Sequence, residues 1–223
     1  MMSPKRLATA LLLAAATASL CLAQANGLKS RLLRLIGPQR ASVCIAIKGP
    51  GPADTLFING DRRCPMQSVY KLHLALAVLD RVEKGLLSLE QEVHIAKADL
   101  LPHTWSPIRD RFPNGEVDLP LREVLEYTVT QSDNNGCDIL FRLLGGPAVV
   151  DSFIRRSGVT DISIVATEEE MHREWDLQYR NWTTPRAAVA LLTSLQHGEL
   201  LGQPGRALLW GFMATTTTGA KRL

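Results

Sequence analysis

An α/β chain, with two antiparallel strands near its start and about seven helices after them, is what the sequence predicts on three observations. Two short β-branched runs, Ser42 to Ile47 and Thr55 to Ile58, flank the turn signal Gly49-Pro50-Gly51-Pro52. The segment Leu72 to Val82 is apolar everywhere except at His73, Asp80 and Arg81, so it has no polar stripe at helical period. A helix that is apolar nearly all round is a buried one. Beyond it, apolar segments are punctuated by prolines and glycines in the order that starts and stops helices.

In chain order, residues 1–25 read as a cleaved signal peptide. A basic start at Lys5 and Arg6 precedes an apolar middle from Leu7 to Leu22 and the cleavage pattern Ala23-Gln24-Ala25. Export to the periplasm or beyond follows from that reading, with residues 26–223 as one catalytic domain. Leu28 to Leu35 is expected as a short helix, followed by the two strands. The buried helix runs from Ser68 to a glycine stop at Gly85. Ala98 to Pro120 contains four prolines and an Asn114-Gly115 turn and is expected to be mainly loop. Helices follow over Leu121 to Val129, Asn135 to Leu144 and Pro147 to Ser157, the last two closed by glycines. Thr160 to Asn181 has no clean periodicity, and a loop that long inside a compact domain is usually functional. Two more helices are expected, from Thr184-Pro185 to near Gly198 and from Pro204 to Met213. Two strands alone make a marginal sheet. The sequence ends at Ala220-Lys221-Arg222-Leu223 without supplying them partners, so it reads as truncated at its C-terminus.

Composition removes several functions. Without Lys5 and Arg6 the formal charge falls from +3 to +1, and no lysine-arginine block marks a nucleic-acid or membrane-surface partner. Cys44, Cys64 and Cys137 match no zinc or redox spacing, and the five histidines include no H-E-x-x-H pair. No metal or other cofactor is expected.

Three motifs carry chemistry. Ser68 and Lys71, three residues apart at the head of the buried helix, share a face. A lysine led into an interior must find partners or lose its proton. That gives the serine hydroxyl a neighbouring base. Ser132-Asp133-Asn134 lies between two helices, where the same residues also serve as an N-cap. Thr167-Glu168-Glu169-Glu170-Met171-His172 clusters carboxylates in the irregular stretch, and one turned inward supplies a general base.

Together these motifs resemble the class A serine β-lactamases, whose signature is S-x-x-K, S-D-N and K-T-G. The likeness covers the chain from the first strands to Thr215-Thr216-Thr217-Thr218-Gly219. In His103-Thr104-Trp105-Ser106-Pro107-Ile108 and Gln178-Tyr179-Arg180-Asn181-Trp182-Thr183 it is most similar to the subgroup containing extended-spectrum cephalosporinases of Gram-negative bacteria. The resemblance implies a β-lactamase/transpeptidase-like fold, an all-helical lobe plus an antiparallel sheet lobe, acting as a monomer on a small-molecule β-lactam. It implies Ser68 as the acylated nucleophile and Lys71 as base or proton relay. Ser132 would pass a proton to the leaving nitrogen, and Glu168 would drive the deacylating water. For the substrate it implies Asn134 against the side-chain amide and Trp105 as the wall of the mouth. The acylating base is Lys71 or Glu168.

Two departures stand out. Glu169 follows Glu168 where many members have proline, and His172 stands where they have an asparagine that helps hold the water. K-T-G, which binds the substrate carboxylate in the family, occurs nowhere in residues 1–223. The expected activity is hydrolysis of penicillins or cephalosporins, with residues 1–223 by themselves inactive. The alternatives are a penicillin-binding peptidase, transpeptidase or lactam sensor that acylates without turnover, and a non-catalytic secreted helical protein.

Overall fold

The computed structural model describes residues 27–51 and 54–219; the expected signal segment 1–25 and Lys221 lie outside the described residues. The chain divides into two compact units. One comprises the described residues up to Arg63 with Thr184–Val189, the other Cys64–Thr183 with the described residues from Ala190.

In the first unit, helix α1 (27–36) precedes the expected hairpin of β1 (Ile45–Lys48) and β2 (Thr55–Ile58). The pairing is antiparallel, from Ile45 opposite Ile58 to Lys48 opposite Thr55. Leu56 and Ile58 alternate inward and are buried, as period-two patterning requires. Arg186 lies over the Phe57 ring at 3.9 Å while its Nε donates to Asp61 Oδ1 at 2.8 Å.

The second unit is organised around α2 (Tyr70–Glu83). Tyr70, Lys71 and every residue from His73 to Leu79 are buried on it, as the missing polar stripe predicts. It starts two residues later than expected, because Ser68 sits in a preceding 3-10 turn, Gln67–Val69. Around α2 pack α4 (Leu121–Thr130), α5 (Asn134–Leu144), α6 (Pro147–Arg156) and α9 (Gln203–Ala214), with α8 (Pro185–His197) preceding the last. Tyr70 stacks on Phe141 of α5 with ring centroids 5.6 Å apart. Leu76 is completely buried in this core. Leu76→Ala is expected to lower unfolding stability by about 2–5 kcal/mol, the cost of lost burial plus an unfilled cavity. Denaturant unfolding checks this, with a midpoint shift at unchanged slope as the expected result.

The structure corrects the expectation of loop from Ala98 to Pro120. That stretch contains a short helix α3 (Pro107–Arg111) and ends in β5 (Val117–Pro120), paired antiparallel with β4 (Glu92–Ile95). Buried Val93, Ile95 and Leu119 alternate with exposed neighbours, but four prolines hide the pattern. Pro120 is tolerated because it is the strand's last residue. Gly115 makes the approach possible: its φ is +65°, and a Cβ there would lie 2.5 Å from the Lys97 nitrogen.

The stretch 160–181 is also more regular than expected. It holds β6 (Ile162–Ser163) and α7 (Glu168–Arg173), followed by a 3-10 turn at Trp175–Tyr179. β7 (Trp182–Thr183) follows directly and pairs with both β6 and β3 (Cys64–Pro65). The described residues thus form three small antiparallel sheets rather than one strand pair.

Candidate active site

Lys71 is 3% exposed on the first turn of α2, and its ammonium is enclosed by acceptors from three other parts of the second unit. Nζ donates to Ser132 O at 2.8 Å, Ser132 Oγ at 3.2 Å and Asn134 Oδ1 at 2.5 Å. It reaches Ser68 Oγ at 3.4 Å and forms an ion pair with Glu168 Oε1 at 3.0 Å. Three protons serve four hydrogen-bond acceptors besides the ion pair, so some of these bonds are shared. An enclosed ammonium costs several kcal/mol of lost hydration, which the neighbouring carboxylate and dipoles offset. His73, two residues on, is held down to about 4 by burial and adds no second positive charge to the core near neutral pH.

Ser132 occupies the left-handed region at φ 57°, a conformation that costs of order 1–3 kcal/mol for a non-glycine residue. Lys71 Nζ donates to its carbonyl, and the next residue, Asp133, is fixed by its carboxylate. Asp133 is fully buried, caps α5 by accepting from Gly136 N at 2.8 Å, and also accepts from Ile108 N at 2.7 Å and Ser106 Oγ at 3.0 Å. Burial pushes this carboxyl above its ordinary value, against the three donors and the Lys71 charge, which pull it down. Gly136 cannot be replaced without displacement, since a Cβ would meet Thr128 Oγ1 at 2.8 Å. Within Ser-Asp-Asn, Asp133 thus supplies the helix cap, while Ser132 and Asn134 face Lys71. Asn134 is oriented by Thr104, whose Oγ1 accepts from Asn134 Nδ2 at 2.7 Å.

Glu168 opens α7, where Thr167 and Glu170 form a reciprocal capping box. Its backbone N–H and that of Glu169 donate to the two oxygens of Asp138, each at 2.8 Å. Burial pushes the Asp138 carboxyl up to about 7; the two N–H groups oppose that, and the charges of Glu168 and Glu169 add to it. The Glu168 side chain is 15% exposed and turns to Lys71, while Glu169 turns outward to Arg173. Of the two adjacent glutamates, Glu168 is thus the one beside the lysine. Asn181, completely buried, closes the neck of this segment. Its Oδ1 accepts from Val165 N at 2.8 Å and Ala166 N at 3.0 Å, and its Nδ2 donates to Ala166 O at 2.8 Å.

Trp105 is 58% exposed, pinned by its Nε1 to Gln131 O at 2.7 Å, and borders a cleft of about 720 Å³ with Arg111, Tyr127, Gln131, Thr217 and Thr218. His172 is exposed on the last turn of α7 and is not among the groups gathered round Lys71. Asp138 is the residue that sequence reasoning missed. Its signal was available: it lies four residues after Asn134 on one helix, hence on the same face.

Ser68 Oγ and Glu168 Oε1 both lie within 3.4 Å of one nitrogen. A hydroxyl nucleophile, a second hydroxyl, an amine and a carboxylate meeting in this way are the parts of an acyl-transfer site. The sequence profile of the β-lactamase enzyme family matches residues 27–223.

The chain belongs to the β-lactamase enzyme family.

Among curated relatives, β-lactamase VEB-1 of Pseudomonas aeruginosa is 45% identical over 203 residues, 90% of this chain and 68% of that protein. Extended-spectrum β-lactamase PER-1 of the same organism is 39% identical over 90% of this chain and 65% of its own length. The chain spans about two-thirds of the length of these relatives. Of solved structures, TLA-1 extended-spectrum β-lactamase matches with a TM-score of 0.84 at 47% identity, over 87% of this chain and 70% of that one. A β-lactamase from Chitinophaga pinensis gives 0.83 at 48%, over 85% and 70%. The fold is therefore that of class A β-lactamases, helix-rich with antiparallel sheets, and the chain stands among hydrolases similar to the extended-spectrum enzymes.

Proposed function

We propose that the protein hydrolyses the β-lactam ring of penicillins or cephalosporins through an acyl-enzyme on Ser68, after export to the periplasm. The observation that supports this reading best is the convergence of Ser68, Ser132 and Glu168 on one enclosed amine. In the first step Ser68 Oγ attacks the lactam carbonyl carbon and gives its proton either through water to Glu168 or to Lys71, while Lys71 passes one of its own ammonium protons on to Ser132. The tetrahedral adduct collapses, the C–N bond breaks, and Ser132 Oγ supplies a proton to the departing nitrogen. Lys71 touches both hydroxyls and the carboxylate, so it connects the donor and acceptor ends of this transfer whichever base acts first. In the second step Glu168 removes a proton from water, the resulting hydroxide attacks the ester carbonyl carbon, the C–O bond to Ser68 breaks, and Ser68 Oγ takes a proton from Lys71, which recovers one from Glu168. The second step separates a hydrolase from a lactam-binding peptidase or sensor, and Glu168 at 3.0 Å from Lys71 favours the hydrolase.

Asn134 keeps one amide proton free for the acyl side-chain carbonyl while the other is engaged by Thr104. Trp105, fixed by its indole N–H, walls the mouth. Residues 1–223 contain no Lys-Thr-Gly, and the reading holds that these residues expressed by themselves turn over lactams poorly.

The test is covalent. Full-length protein incubated with a fluorescent penicillin is expected to gain one acyl group, mapped by peptide mass to Ser68. No adduct on Ser68 would remove the acyl-enzyme reading.

A further inference from the structure

The turn that carries Ser68 is tied to the segment that carries Glu168 at two places of different character. One is buried backbone: Met66, 3% exposed, donates its N–H to Asn181 O at 2.9 Å, and β3 beside it pairs with β7. The other is a side-chain bond at the surface. Gln67 Nε2 donates to Gln178 Oε1 at 2.6 Å, and Gln178 Nε2 donates in turn to Trp175 O at 2.9 Å.

Both ends of that surface bond lie where the chain needs outside support. Gln67 immediately precedes Ser68 and sits at φ 46°, a left-handed conformation that a glutamine keeps only when its surroundings impose it. Gln178 lies in the 3-10 turn Trp175–Tyr179, which buries no residue, so little packing fixes it. The segment from Glu168 to Asn181 is held in front by Asp138 and at its neck by Asn181. Between those two anchors, the Gln67–Gln178 bond crosses directly to the nucleophile's turn.

We infer that the Gln67–Gln178 hydrogen bond is a positioning clasp that sets the separation of Ser68 from Glu168 and so governs deacylation more than acylation. The inference rests on the acyl-enzyme reading above. Acylation needs Ser68, Lys71 and Ser132, which the bonds of Lys71 to both serines and the buried Met66–Asn181 bond hold without help from the clasp. Deacylation needs a water held between Ser68 and Glu168, and the clasp joins the two chain segments that frame it. Neither glutamine is a catalytic residue; both act through the placement of others.

Four variants of the full-length protein test this by pre-steady-state acylation and deacylation rates with a chromogenic cephalosporin. Gln178→Leu removes the acceptor and is expected to slow deacylation about tenfold, with acylation within about twofold, since small misplacements cost rate steeply. Gln178→Glu keeps an acceptor oxygen for Gln67 and is expected to retain deacylation within about threefold of the parent. Gln67→Leu should resemble Gln178→Leu, and the double variant should be no slower than either single one, as partners in one bond are non-additive. Amides of residues 174–180 should also exchange with solvent faster in Gln178→Leu, a readout that needs no turnover.

Deacylation of Gln178→Leu within twofold of the parent would overturn the clasp, as would additive single variants or unchanged exchange. Equal slowing of both steps would overturn it too, because that pattern marks a general loss of structure. If the parent protein forms no Ser68 adduct, the acyl-enzyme reading fails instead, and the exchange comparison still decides whether the bond orders the turn.

Discussion

Glu168→Ala is expected to convert the protein from one that turns lactams over into one that stays acylated. The physical basis is that acylation can run through Lys71, whereas deacylation has no base for water other than this carboxylate. Ser68, Lys71 and Ser132 remain in contact when the Glu168 carboxylate is removed, because Lys71 still has Ser132 O at 2.8 Å and Asn134 Oδ1 at 2.5 Å. Ring opening can therefore proceed with Lys71 as a relay that takes the Ser68 proton while passing one of its own to Ser132, which protonates the departing nitrogen. The ester that results has lost its base for water, and loss of a positioned general base typically costs about 10²–10⁴ in rate. Intact mass should show the acyl adduct persisting for minutes or longer after the parent enzyme has returned to its free mass. Rapid turnover by Glu168→Ala would mean that another group activates the water. Glu169→Ala is the matching control: its side chain pairs with Arg173 at the surface, so deacylation should change by less than about threefold. A smaller effect for Glu168 than for Glu169 would reverse the assignment made from their directions.

Much of this site was legible in the sequence because its parts sit in segments whose local physics is unambiguous. An unbroken apolar helix with a lysine in its first turn announces both burial and the need for partners, and Lys71 has both. Ser132-Asp133-Asn134 was legible twice over, since a residue that caps a helix and residues that reach past the cap are read from the same three letters. What local physics could not supply was the choice between Glu168 and Glu169, which rested on the family resemblance alone. Adjacent residues on a helix point about 100° apart, so the choice depends on how α7 is rotated. That rotation is set by Asp138, thirty residues earlier in the chain. The β4–β5 hairpin was hidden for a different reason. Its alternation of Val93, Ile95, Val117 and Leu119 is clear once paired, but prolines and a positive-φ Gly115 in the connection read locally as loop. The capping box of α7, by contrast, was there to be read as Thr167-x-x-Glu170, and reading it would have turned a stretch called irregular into a helix start.

Asp138→Asn is expected to slow deacylation about tenfold to a hundredfold near neutral pH while leaving acylation largely intact. In the parent, two carboxylate oxygens accept from two N–H groups, those of Glu168 and Glu169. An asparagine offers one oxygen and one NH2, so one N–H would face a donor and α7 must shift. Shifts of about 1 Å near reacting atoms cost up to about 10² in rate. Protonation of Asp138 creates the same conflict, since one oxygen then carries a hydrogen. Burial pushes this carboxyl up to about 7, so deacylation in the parent should fall as pH drops through that value, and Asp138→Asn should remove that part of the profile. Stability runs the other way. A carboxyl whose pKa is raised from 3.8 when unfolded to about 7 when folded contributes stability that is fully present below about 4 and is lost as pH rises through about 7. Lowering pH from 7 toward 4 should therefore strengthen this contribution to folding while weakening the hold on Glu168. Deacylation rates and urea midpoints measured on the same samples at pH 5, 6, 7 and 8 check the opposition, with Asp138→Asn expected to flatten both. A parent whose deacylation rate is level from pH 5 to 8 would show that the two N–H bonds to Asp138 do not limit the placement of Glu168.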